Sequence, residues 1–159
     1  MEVLPHTCGF CFPVVLQNLN SDIALLPDVL FLLGSLAVVP EIKTKIGELD
    51  GVAACNELLQ RSLANPQATA VVTNTCLAFA NICIGHKKNT ELFHKLGGPD
   101  LTVRVLNERC KEYDVCNAAS VLLCNLLYKN EQMKHHLGTN GAPAALVKVR
   151  RSQYHGRLC

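Results

Sequence analysis

The residues best suited to chemistry are thinly scattered along this chain. His6-Thr7-Cys8-Gly9-Phe10-Cys11 holds its one metal-like spacing, a Cys-x2-Cys knuckle. Such a knuckle supplies half of a zinc site and normally needs a second pair at a matching separation to complete four ligands. Cys55, Cys110 and Cys116 do not provide that pair. Cys83 with His86, and His135-His136, have the residue types of nucleophilic catalysis. No carboxylate is placed to orient them and nothing marks an oxyanion hole, so both read as packing or surface groups. Glu108 and Glu112 stand four apart beside Arg109 and Lys111, the pattern of a solvated helix end. A glycine-rich phosphate loop is absent. The expectation is a chain that is not an enzyme and takes no cofactor or metal. A cysteine-based metal or redox protein built on the N-terminal knuckle is the alternative.

What positions these residues is a repeat. A small-polar-apolar triplet recurs as Gly34-Ser35-Leu36, Ala80-Asn81-Ile82 and Cys124-Asn125-Leu126. A glycine turn follows each triplet by sixteen or seventeen residues: Asp50-Gly51, Gly97-Gly98, Asn140-Gly141. Triplets are 46 and 44 residues apart, glycines 47 and 43. A period in this range means stacked helical units rather than one closed globule. Within each unit three segments follow in fixed order. Short ones, at 41–49, 89–96 and 132–137, carry apolar residues three and four apart, the buried stripe of a helix. Each ends at the glycine turn, where a left-handed residue closes the helix. Second segments follow at 52–63, 99–106 and 143–149, two of them opening on Pro99 and Pro143, which a first helical turn tolerates. Third segments, at 28–38, 69–84 and 114–128, are apolar almost all round, as a helix covered on most sides must be. Gly34, Ala80 and Cys124 are small enough to let a neighbouring helix close in. By the same spacing, 10–19 reads as a second-type helix.

Totals narrow the partners. Apolar residues make up 49% of 159, yet Trp is absent, so the core is aliphatic and cysteine-lined. A net charge of +2 does not argue for nucleic acid or an acidic membrane. Lys148, Arg150, Arg151 and Arg157 near the C-terminus read as a solvated basic tail. The nine cysteines are an odd count, several inside apolar helical patterns, where free Cys behaves as a small hydrophobe. With no secretory leader, that favours a reducing compartment: the cytoplasm, with nucleus or cilium as alternatives. The most apolar run, 29–39, is too short to span a bilayer.

Segment order and spacing resemble the armadillo repeat. The resemblance is carried most specifically by Leu77-Ala78-Phe79-Ala80-Asn81-Ile82 and Val121-Leu122-Leu123-Cys124-Asn125-Leu126, with Glu41-Ile42-Lys43-Thr44-Lys45-Ile46 as an opening segment. It implies an all-α, right-handed α-solenoid of about three repeats, incomplete at both ends. The divisions are a tail at 1–8, a repeat domain at 9–150 (partial repeat 9–39, repeats 40–84 and 86–128, partial repeat 131–150) and a basic tail at 151–159. It further implies a non-catalytic protein-interaction scaffold whose third helices line a concave groove. Carried over residue by residue, Asn81 and Asn125 are groove residues that bind a peptide backbone, with Ser35 at the first equivalent position. The alternative for each Asn is to satisfy a neighbouring helix end. Family import receptors place a Trp one turn earlier; here those positions are Phe31, Leu77 and Val121, which rules out a Trp ladder for lysine stems. Thr73 and Asn117 lie a turn further back, and Lys129 and Lys134 form a basic rim. Such a groove suits an apolar or helical protein ligand, with self-association through uncapped ends as a further expectation. The chain would equally serve as a fragment or isoform of a larger chaperone-linked, cytoskeletal or ciliary assembly scaffold.

Overall fold

The computed structural model describes residues 24–155, with side chains to Gln153. The Cys8–Cys11 knuckle and the 10–19 segment lie outside the described residues. Among those described, every regular element is a helix. Three third-type helices are α1 (Leu26–Leu36), α4 (Thr69–Cys83) and α7 (Tyr113–Leu127). Ahead of α4 come a short helix α2 (Pro40–Glu48) and a second helix α3 (Gly51–Leu63), joined to it by a 3-10 turn at Pro66–Ala68. Ahead of α7 come α5 (Lys87–Lys95) and α6 (Gly98–Glu108). The chain continues with α8 (Glu131–Thr139) and α9 (Ala142–His155). This order is the expected one, with two complete units between a leading third helix and a trailing pair.

Local chemistry explains the boundaries. The imidazole of His86 caps α5 by accepting from the Asn89 amide at 3.2 Å, and Asn130 Oδ1 caps α8 from Met133 at 3.0 Å. Pro40, Pro99 and Pro143 sit at helix starts, where the missing N–H costs nothing. Gly97 and Gly141 turn the corner with φ of 72° and 87°. In the first unit the left-handed residue is Asp50, φ 54°, and Gly51 is already helical, which corrects the expectation for that turn. Gly98 has a different reason to be small: a Cβ there would strike the Phe93 ring.

The third helices stack side by side, α1 on α4 and α4 on α7. Gly34 lets α1 approach so closely that an added Cβ would lie 3.1 Å from the Ala78 Cα. The second helices back them, α3 on α4 and α6 on α7. Between the layers runs one core in which Leu30, Leu59, Phe79, Phe93, Leu106 and Leu122 are fully buried. Each such leucine contributes roughly 1.5–3 kcal/mol. Phe79 and Phe93 meet with ring centroids 4.3 Å apart.

Long-range hydrogen bonds repeat the period. Asn89 reaches back 46 residues to the Lys43 carbonyl, and Arg109 reaches 46 to that of Leu63. Arg109 corrects the expectation of a solvated helix end at 108–112. It is 7% exposed, donates also to the carbonyls of Ser62 and Asn65, and pairs with Glu112 at 2.6 Å. Four orphan carbonyls end every helix, and the guanidinium fork takes up two of those of α3, Ser62 and Leu63, with Asn65 just beyond it. The expected tail from 151 is also corrected: α9 runs on to His155. Gln153 donates to the Cys110 carbonyl at 3.0 Å and Ser152 to the Cys110 sulfur, holding that turn against the preceding unit.

Candidate functional site

Third helices stacked in one layer present one common face. On it Phe31, Leu77 and Val121 occupy the same place in successive units, and all three are exposed, Phe31 by 65%. Ser35, Leu77, Asn81 and Val121 come together with Phe31 around one shallow depression of about 170 Å³. Asn125 and Lys129 line a second, larger cleft of about 490 Å³ with Tyr128, Lys87, Gln132 and Cys83. Thr73 and Asn117 line neither; the Thr73 hydroxyl donates to its own helix at Thr69.

The two amides have structural work. Asn81 Nδ2 donates to the Gly34 carbonyl at 2.9 Å, and Asn125 Nδ2 donates to the Ala80 carbonyl at 2.9 Å. Both acceptors lie in the last turn of the preceding third helix, where carbonyls lack helical partners. Each Asn is therefore a staple between units, the neighbouring-helix role anticipated as its alternative. The bond uses one amide donor, and Oδ1 is an acceptor. Ser35, with no arm of that length, turns its hydroxyl to Phe31 O at 2.9 Å.

Charge along the face is sparse. Lys134 is paired with Glu131 at 2.6 Å, whereas Lys129 has the Tyr128 ring at 5.3 Å beneath its ammonium and no carboxylate partner among the described residues. Lys129 also holds φ at 50°, a position that its counterpart Gly85 fills at 68°. Nothing in the sequence marked that turn as left-handed.

The remaining chemical candidates are structural in geometry. His86 has both ring nitrogens engaged, the second with Thr44 Oγ1 at 3.1 Å. His136 meets Asp100 at 2.9 Å and the edge of His94, tying α8 to the preceding unit. Burial pushes the thiols of Cys55, Cys76 and Cys83 up to about 12, and that of Cys116 to about 11. These are poor nucleophiles at neutral pH. Burial likewise lowers the pKa of Lys43, whose ammonium donates to Ile84 O. Among the described residues no group of three His, Cys, Asp or Glu is placed to hold a metal, and no helix is long and apolar enough to cross a membrane.

Three-helix units with a common core, stacked through their third helices and stapled by a recurring Asn, define an armadillo-type solenoid. Residues 12–158 match the family model described as a GAC ARM domain, and the chain belongs to that family. No curated protein matches it.

Proposed function

We infer that the chain is a non-catalytic interaction scaffold that holds an apolar segment of another protein across its third-helix face. The observation that carries this is the row of Phe31, Leu77 and Val121, exposed in repeat register on the common face of α1, α4 and α7, with Leu32 and Leu36 also open on α1. Exposed apolar residues aligned across units, rather than scattered singly, mark a contact surface. Asn81 and Asn125 add acceptors beside the row for amide donors of the ligand. Lys129, with no carboxylate partner among the described residues, favours an acidic residue at the end of the segment that reaches the larger cleft.

A photo-crosslinking residue placed at Leu77 or Val121, against one at Glu57 or Arg104 on the second helices, tests the reading in cells. Capture of the same partner from both third-helix positions and from neither second-helix position is the expected result. Equal capture from all four, or capture from 57 and 104 alone, refutes it. Leu77→Asp should release that partner without changing thermal unfolding, because Leu77 is already exposed.

A further inference from the structure

The larger cleft has a counterpart one unit earlier, and the two copies differ in what crosses them. Counted from the residues that cap α2 and α5, Val39 and His86, Lys43 and Thr90 hold the same place in successive units, and Thr44 and Glu91 the next. Ile84 and Tyr128 likewise correspond, since each caps the C-terminal end of a third helix. In the first copy Lys43 is buried and its ammonium donates to the Ile84 carbonyl at 2.6 Å, while Thr44 meets His86 at 3.1 Å. Those two contacts close α2 onto the turn that follows α4. In the second copy Thr90 is too short to cross, and its hydroxyl turns back to the carbonyls of Cys83 and His86. The Tyr128 carbonyl accepts from no other group among the described residues. Between α5 and the turn after α7 lies the cleft of about 490 Å³, with Thr90, Glu91 and Tyr128 in its lining. Helices of the array flank both copies, so the opening comes from the side chains that line it.

We propose that this cleft receives a lysine side chain of the partner segment, whose ammonium takes the place at the Tyr128 carbonyl that Lys43 takes at Ile84. The inference rests on the groove reading, that a partner segment lies along the third-helix face, and names one residue of that segment. An ammonium carries three donors. The Tyr128 carbonyl takes one, and the Glu91 carboxylate takes a second in a charge-assisted bond. Glu91 stands where the closed copy has the neutral Thr44, so the open copy exchanges an internal cation for an exposed anion. Among the described residues its one ionic contact is Lys87, 3.8 Å away on its own helix, an exposed pair of little strength. Leu126 and Tyr128 line the same cleft and give the lysine stem apolar surface. Lys87 and Lys129 are the opposing charges. Lys87 is 89% exposed, where water screens it, and Lys129 lies over the Tyr128 ring and is answered by the acidic residue of the segment. The segment therefore carries a lysine and an acid close together. No stacking on an aromatic ladder is involved: a helix-end carbonyl and a carboxylate hold the lysine at its ammonium.

The probe is Nα-acetyl-lysine methylamide, matched by its norleucine analogue, which keeps the stem and lacks the ammonium. Binding to the full chain is read from the backbone amide NMR shifts of Thr90, Glu91 and Lys129. The lysine probe should bind about tenfold tighter than the norleucine one. Thr90→Lys supplies the ammonium from within, as Lys43 does in the closed copy, and should abolish the shifts in a folded protein. Glu91→Gln, at an exposed position, should weaken the lysine probe about tenfold with thermal unfolding unchanged. Equal binding of the two probes, shifts that survive Thr90→Lys, or indifference to Glu91→Gln overturns the proposal. An aspartate probe that moves the same amides while the lysine probe moves none also overturns it, and makes the cleft an anion site. Failure of the groove reading shows elsewhere. Crosslinkers at Leu77 and Val121 that capture no partner sink that reading while the lysine probe still binds, and a captured partner beside a silent lysine probe sinks the lysine site alone. Leu77→Asp should leave the probe's affinity unchanged.

Discussion

At the scale of single residues, this molecule depends on polar side chains that reach about one repeat length back along the chain. Arg109 is the extreme case, buried and spanning three carbonyls and a carboxylate. Its removal leaves Glu112 with the Thr69 hydroxyl alone and strips the carbonyls of Ser62, Leu63 and Asn65 of their donor. Arg109→Ala should therefore cost about 1–3 kcal/mol or more in urea unfolding. Lys at this position restores little, because a point charge cannot replace a planar fork. A loss under about 1 kcal/mol would mean that water satisfies those carbonyls equally well. The thiols give a pH signature. Cys55, Cys76 and Cys83 have folded pKa values near 12 against an ordinary 9.0, so the folded state holds these protons more tightly. Their stabilisation is complete below about pH 9 and is lost as pH rises towards 12. Lys43 acts with the opposite sign: its lowered pKa costs stability at neutral pH, and that cost disappears as pH rises through 10.5. Three thiols against one amine should make the urea midpoint fall above pH 9; a rise there would show that Lys43 dominates.

At the scale of elements, the helix order was legible because each signal is local. Apolar spacing of three and four, a glycine turn and a proline at a helix start need no knowledge of distant contacts. The third helices could be told apart by their all-round apolarity, which the stacking of α1, α4 and α7 explains. The misread features depend on residues some 40–47 positions away. Nothing between Glu108 and Glu112 announces that the carbonyls of Ser62, Leu63 and Asn65 wait for Arg109, so a run of charges looked like surface. The groove is a milder case: Asn81 and Asn125 were recognisable and a helix-end role was one of two readings for them, but which carbonyl each amide meets was visible only once α1, α4 and α7 were side by side. Replacing both by Ala should keep helicity while costing roughly 1–3 kcal/mol in unfolding free energy per orphaned carbonyl. A double variant of unchanged stability would make ligand contact their main role. Leu59→Ala and Leu106→Ala, each emptying a site with no exposure, should cost about 2–5 kcal/mol, measured the same way. A cost below half a kcal/mol would place them outside the core.

At the scale of the whole molecule, stability should follow position in the stack. Each unit of a solenoid contacts only its neighbours, so the free energy of opening a helix depends on how many of its sides are covered. Helix α4 is covered by α1, α3 and α7, and its apolar residues are almost all buried. Among the described residues helix α9 rests chiefly on α6 and α8, leaving Leu146 and Val147 half in solvent. Native-state amide exchange should therefore be slowest in α4 and fastest in α9, with α7 between them because its Cys124 side is exposed. Protection that is uniform from α1 to α9 would describe a single cooperative globule in place of a stack whose units contact only their neighbours.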